Sequence, residues 1–236
     1  MNKLRIRIAS IESLADEFAR EFTESADAGV AARGRAVIAV PGGSVAEKFL
    51  PRLGRIDRHW DSVDLFWCDE RAVPIDDPAS NAGMAARLLA GTAAAGARTR
   101  PMPADADDLA AAAERYAGQL RSVLGANGRL DLALLGLGED GHVASLFPGH
   151  PALRERAATV APIYDAPKPP ARRMTLTLPV LAGAHLVILA AFGPGKATAV
   201  RDAVDPAGQS PAALVIRSAS RVVLLVDPEA GLLLDR

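Results

Sequence analysis

Four stretches of this chain are apolar at nearly every position, and each ends in a polar cluster. Ala36 to Val40 runs into Pro41-Gly42-Gly43-Ser44, and Val63 to Cys68 into Asp69-Glu70-Arg71. Leu130 to Leu137 runs into Gly138-Glu139-Asp140-Gly141-His142, and His185 to Phe192 into Gly193-Pro194-Gly195-Lys196. A strand apolar throughout has no face to give to water, so both of its faces must be covered. Between these runs, apolar residues recur at helical spacing: Ile11, Leu14, Phe18 and Phe22; Val45, Phe49, Leu50 and Leu53; Leu109, Ala113, Tyr116, Leu120 and Leu124. Strands that alternate with helices predict an α/β fold, a mostly parallel sheet with helices on both faces. The pattern adds strands at Lys3 to Ile8, Met174 to Leu178 and Arg221 to Val226, the last followed by a short helix. It adds a helix at Met84 to Leu89 and a proline-rich loop at Pro162 to Pro170. Ligands of such sheets sit beyond the carboxyl ends of the strands, so the four clusters are expected to gather at one rim.

The chain has 236 residues, half of them apolar, which suits one domain over residues 1–236 with a substantial core. The formal net charge is −1, with no basic cluster, so neither nucleic acid nor a membrane surface is expected as a partner. No apolar run approaches the roughly 20 residues that span a bilayer, and Met1 to Ser10 lacks a signal peptide's apolar stretch, so a cytoplasmic protein is expected. Cys68 is the single cysteine, and His59, His142, His150 and His185 are scattered, so no disulfide, metal or cofactor site is anticipated.

In the first cluster, Gly42 and Gly43 let the backbone turn sharply before a helix whose free N–H groups face the turn. Ser44 there can cap the helix or donate to a phosphate. Gly42-Gly43-Ser44-Val45-Ala46 nearly matches a nucleophile elbow, but its last position is alanine and only two strands precede it. Asp69-Glu70-Arg71 reads either as a solvated loop or as charges held by partners. Gly136, Gly138 and Gly141 match a dinucleotide fingerprint, yet the chain continues Ser145-Leu146-Phe147-Pro148-Gly149, which reads as loop where that fold needs helix. What remains is an imidazole, His142, beside a carboxylate, Asp140. A histidine near its ordinary pKa can take a proton from water; a packed histidine beside a capping aspartate is the alternative. Lys196 just inside a helix start opposes the helix dipole, a cost that makes sense if an anion sits between it and Arg173; a lysine that merely lays its stem on apolar surface is the alternative.

At these residues the sequence resembles the 6-phosphogluconolactonase family, related to the glucosamine-6-phosphate deaminases. Gly42-Gly43-Ser44 is similar to its Gly-Gly-Ser-Thr turn, with Pro41 and Val45 as departures. Phe66 to Arg71 with Val73-Pro74, Asp77 and Ser80-Asn81 resembles its Asp-Glu-Arg segment. Leu135 to Gly149 is close to a full signature, and Arg173 to Pro179 with Gly193-x-x-Lys196 completes the set. The resemblance implies a Rossmann-like, parallel-rich sheet shared with the deaminases. It also implies hydrolysis of 6-phospho-D-glucono-1,5-lactone, a small phosphorylated sugar lactone of the pentose phosphate pathway, without a cofactor. His142 would be the base that activates water. Gly42, Gly43, Ser44, Arg173 and Lys196 would surround the phosphate, with Gly141 also against the substrate. Asp69, Arg71 and Asp140 would line the pocket around the sugar ring. Either Arg172 or Arg173 could reach the phosphate, and register with Thr175 and Thr177 favours Arg173. Deaminases of this group usually carry a glutamate five residues after the histidine and a tyrosine where Arg71 stands; here the first position is Phe147.

Overall fold

The computed structural model describes residues 4–125 and 128–234. Seven strands form one parallel sheet: β1 (Leu4–Ile8), β2 (Ala36–Val40), β3 (Val63–Trp67), β5 (Arg98–Arg100), β6 (Leu132–Gly136), β9 (Leu186–Ala191) and β10 (Val222–Val226). The spatial order is β1-β10-β9-β6-β2-β3-β5. Every residue of β2, β3, β9 and β10 is buried, as strands covered on both faces must be. The first strand starts at Leu4, and Lys3 lies outside the described residues.

Among the described residues seven helices accompany the strands: α1 (Ile11–Arg33), α2 (Gly43–Leu53), α3 (Asn81–Leu89), α4 (Leu109–Leu124), α5 (Leu178–Ala182), α6 (Ala197–Val204) and α7 (Pro211–Ser218). Ser10 caps α1 by accepting from the Ser13 N–H, and Gly34 ends it in the left-handed region. Phe18 of α1 stacks on Phe49 of α2 with ring centroids 5.1 Å apart, so both helices close over the same part of the core. No helix among the described residues is long and apolar enough to cross a membrane.

The chain builds the sheet outward from its middle. It passes from β2 to β3 and β5 on one side, returns to β6 beside β2, and then continues outward on the other side to β9 and β10, with β1 at that far edge. The switch in direction falls between β2 and β6. These two strands pair only at Ile38 with Leu132 and Ala39 with Ala133, so they part toward their carboxyl ends. A crevice opens there, where ligands of doubly wound sheets bind.

Several local expectations need correction. A second, antiparallel sheet joins β4 (Asp69–Arg71), β8 (Arg173–Leu176) and β7 (Val160–Ile163). Asp69-Glu70-Arg71 is therefore a strand, with Asp69 and Glu70 buried, and not a solvated loop. Pro162 belongs to β7 rather than to the proline-rich loop. Turns follow β10 over the described residues where a short helix was expected. The 193–196 segment is a 3-10 turn (Pro194–Lys196) that leads into α6. Helix α7 and strands β5 and β7 had no signal in the apolar pattern.

Glu70 shows why a buried carboxylate is tolerated in so apolar a place. It accepts from the N–H groups of Arg71 (2.8 Å), Asn81 (2.8 Å) and Ala82 (2.7 Å), and from the Ser80 hydroxyl (3.2 Å). It thus ties β4 to the start of α3. Glu70→Ala would leave these buried donors without an acceptor, and a stability loss of about 3 kcal/mol or more is expected in urea denaturation. A loss under about 1 kcal/mol would show that water replaces the carboxylate at no great cost.

Candidate active site

All four clusters follow neighbouring strands, β9, β6, β2 and β3, and in a parallel sheet their carboxyl ends share one edge. There they enclose an open cavity of about 160 Å³. His142, Arg71, Asp69, Gly42, Gly43, Ser44, Arg173 and Lys196 all contribute to its wall. A larger cavity of about 720 Å³ lies at the opposite edge, beside Leu130 and Ser220, and its wall carries neither carboxylate nor imidazole.

The 138–142 segment is a tight loop. The Gly138 N–H donates to the His142 carbonyl (2.8 Å) and the Gly141 N–H to the Gly138 carbonyl (3.0 Å). It continues through isolated bridges, Leu137 with Val143 and Val143 with Leu146, instead of a helix, so the glycine fingerprint does not build a dinucleotide site. Ala144, on the cavity wall, holds φ at 49°, a left-handed conformation costly for a residue with a side chain.

Within this loop Asp140 accepts a hydrogen bond from Nδ1 of His142. That contact places the ring proton on Nδ1 and leaves Nε2 as an acceptor. Nε2 has no partner among the described residues. Phe147 packs against the imidazole with ring centroids 4.8 Å apart. Burial pushes the His142 pKa below its ordinary value, against the opposing pull of Asp140. Burial works to raise Asp140, but the hydrogen bond and charge of His142 and the charge of Lys168 outweigh it and hold that carboxyl low. Lys168 lies 3.4 Å from the same Asp140 oxygen.

Two expected site residues do not line the cavity. Asp140 is the hydrogen-bond partner of His142 and is not among the residues of the cavity wall. Gly141, with φ at 80°, serves the turn and the packing of α7: a Cβ there would lie 2.4 Å from Cβ of Ser210.

The glycine turn opens α2, whose N-cap is Gly42 with no side-chain cap bond. Ser44 therefore does not cap the helix, and its exposed hydroxyl has no partner among the described residues. The first N–H groups of a helix lack acceptors within it, so this turn presents donors to the cavity. Val45 is buried, its side chain 3.4 Å from where a Cβ on Gly136 would stand.

Of the two arginines, Arg173 is buried on the cavity wall, whereas Arg172 reaches the Asp107 carbonyl at the surface. Arg173 donates to the carbonyls of Pro170 (2.9 Å), Lys168 (2.7 Å) and Pro169 (3.2 Å) and to the Ser145 hydroxyl (3.4 Å). Its guanidinium also lies over Phe147, 5.5 Å from the ring centroid. Four of its five N–H groups are thus engaged with the protein, and it pins the proline-rich loop as much as it faces the cavity. Lys196 differs. Its ammonium is partly buried, has no hydrogen-bond or ion-pair partner among the described residues, and burial lowers its pKa. The Glu139 and Asp140 carboxylates act on it only through space, neither within ion-pair distance, and Lys168 opposes them.

Sequence reasoning passed over Ser145, Phe147, Lys168 and Asn81 as site residues. Ser145 donates to Asp69 (2.6 Å), and Asn81 lines the cavity next to Gly42. The first two lie inside the signature stretch and Asn81 inside the Asp-Glu-Arg segment, so only the resemblance marked them. Nothing in periodicity did.

A doubly wound sheet with a glycine turn, a lysine outside any ion pair and a histidine–aspartate pair at its switch point defines an α/β protein whose crevice carries cations and hydrogen-bond donors. Residues 9–224 match the model of a family described as glucosamine-6-phosphate isomerases/6-phosphogluconolactonase. The chain belongs to that family. It is 40% identical over 218 residues to the 6-phosphogluconolactonase of Mycobacterium tuberculosis, covering 86% of this chain and 87% of the relative. It is 38% identical over 234 residues to that of Streptomyces coelicolor, with 92% and 89% covered. Among solved structures, 6-phosphogluconolactonase from Trypanosoma brucei superposes with a TM-score of 0.83 at 26% identity, with 99% of each chain covered. A monomeric glucosamine-6-phosphate deaminase shares the fold, with a TM-score of 0.80 at 22% identity over 98% of this chain and 99% of that one.

Proposed function

We propose that this protein hydrolyses 6-phospho-D-glucono-1,5-lactone to 6-phospho-D-gluconate, a step of the pentose phosphate pathway, with His142 as general base. One observation carries the reading: an imidazole with one nitrogen held by a carboxylate and the other free shares a cavity wall with a glycine turn and an unpartnered lysine. The names of relatives at 40% and 38% identity over most of their length support the substrate.

In this reading Nε2 of His142 takes a proton from water as the water oxygen bonds to C1 of the lactone. Asp140 holds the ring and stabilises the imidazolium that forms. The tetrahedral oxyanion lies near Arg71. That guanidinium donates once to the Ala79 carbonyl (2.8 Å), and its buried Nε has no partner. The bond from C1 to the ring oxygen then breaks, and the imidazolium returns its proton to that oxygen. The N–H groups of the glycine turn and Lys196 hold the phosphate, and Arg173 adds charge behind them. Binding the remote phosphate keeps the carbonyl near the base.

The test is a coupled assay of fresh lactone against its spontaneous hydrolysis, with glucosamine 6-phosphate in parallel. Lactone hydrolysis above background without ammonia release is expected. Ammonia release at comparable rates would assign the deaminase reaction instead. Lys196→Ala is expected to raise KM about tenfold or more with kcat little changed, since it removes a charged contact made alike in ground and transition states. An unchanged KM would move the phosphate elsewhere.

A further inference from the structure

Asn81, the first residue of α3, is 1% exposed and sits between two of the strand-end clusters. Its Nδ2 donates to the Asp69 carbonyl (2.8 Å) and lies 3.4 Å from the Asp69 carboxylate. Its backbone N–H is fixed on Glu70 (2.8 Å). Because the partners on Asp69 are acceptors only, the amide cannot be turned over, and its Oδ1 must face the other way. It faces Gly42: a Cβ on Gly42 would fall 1.8 Å from Oδ1 and 2.3 Å from Cγ. Oδ1 is buried there without any hydrogen-bond donor. A buried acceptor left unmatched is costly and calls for a reason. The Asp69 carboxylate that Asn81 touches on one oxygen receives the Ser145 hydroxyl on the other (2.6 Å).

We infer that Asn81 is a positioning residue: its side chain is the spacer that sets how far the glycine turn stands from Asp69, and it thereby selects phosphorylated over unphosphorylated lactones. The inference rests on the function proposed above, in which the turn takes the phosphate, and on the placement of Asp69 beside the sugar ring that the family resemblance implies. A spacer between two subsites matters only to a ligand that bridges both. A lactone without phosphate uses the Asp69 end alone and is indifferent to where Gly42 stands.

The experiment measures kcat/KM for 6-phosphogluconolactone and for gluconolactone in the wild type, Asn81→Ala and Asn81→Asp. Asn81→Ala, which removes the spacer, is expected to lose about ten- to a hundredfold on the phosphorylated lactone, through KM, and no more than about threefold on the other. Asn81→Asp keeps the spacer's shape but sets a carboxylate against Asp69, so its loss is expected to fall on both lactones alike. Wild-type behaviour in Asn81→Ala would overturn the inference, and so would an equal loss on both lactones in that variant. The ratio of the two activities cancels the folded fraction of each preparation, so a destabilised variant still gives an answer. Should the wild type show no turnover, the proposed function falls by itself. The spacer is then judged by calorimetry, from the ratio of dissociation constants for gluconate and 6-phosphogluconate, which must shrink in Asn81→Ala.

Discussion

His142→Ala is expected to lower kcat on the lactone by about a hundred- to ten-thousandfold, the usual contribution of a positioned base, while KM stays within a few-fold. The imidazole touches the reacting end of the ligand in the proposed complex, not the phosphate, so binding should survive its loss. The fold should survive too, since the backbone of the 138–142 loop is held by its own hydrogen bonds, Gly141 to Gly138 among them. The pH profile gives a second reading. The base works when neutral, and burial sets its pKa below the ordinary histidine value. Activity should therefore be full at neutral pH and fall only as pH drops through that lowered pKa. The limb must vanish in His142→Ala, whose residual rate should be flat there. Removing Asp140 as Asp140→Asn takes away the group that pulls the pKa up, so the limb should move further toward acid as the rate falls. A turnover number unchanged in His142→Ala after subtraction of spontaneous hydrolysis would remove the base assignment.

The parallel core was legible because burial on both faces writes itself into sequence as unbroken apolar runs, such as Ala36–Val40 and Leu186–Ala191. The rim followed from the same runs, since parallel strands bring their carboxyl ends to one side. Two strands of the small antiparallel sheet left no such trace: Asp69–Arg71 is charged and Val160–Ile163 carries a proline. Neither did the edge strand of the parallel sheet, Arg98–Arg100, which is short and largely exposed. Their strand character comes from partners far along the chain: Glu70 is made tolerable by donors at the start of α3, which no local window contains. Site geometry was legible only as composition. That Asp140 would stand behind His142, and that Arg173 would engage three loop carbonyls, depends on how the proline-rich loop folds back over the signature loop. Lys196 was the easier residue to read, because a cation near a helix start already lacks a local partner.

Gly138→Ala is expected to cost about a hundredfold or more in kcat, close to removal of the base itself. The glycine is needed for room, not for backbone freedom, since its φ is not among the positive values that favour glycine. A methyl there would lie 2.0 Å from Nδ1 of His142, 2.2 Å from its Cε1 and 2.7 Å from Oδ1 of Asp140. The backbone of residue 138 cannot retreat cheaply, because its N–H and carbonyl are both bonded within the loop. The ring must therefore swing away, and the hydrogen bond that fixes its tautomer must break. Chemistry that depends on near-attack geometry does not tolerate such a displacement. The double variant Gly138→Ala/His142→Ala separates this cause from a general loosening of the loop. With the imidazole gone, the two closest contacts disappear and only the Asp140 carboxylate at 2.7 Å remains, which a turn of that exposed side chain relieves, so the second change should add little to the loss in His142→Ala, and much of the stability lost in Gly138→Ala should return. Losses that simply multiply would mean that Gly138 serves the loop rather than the base.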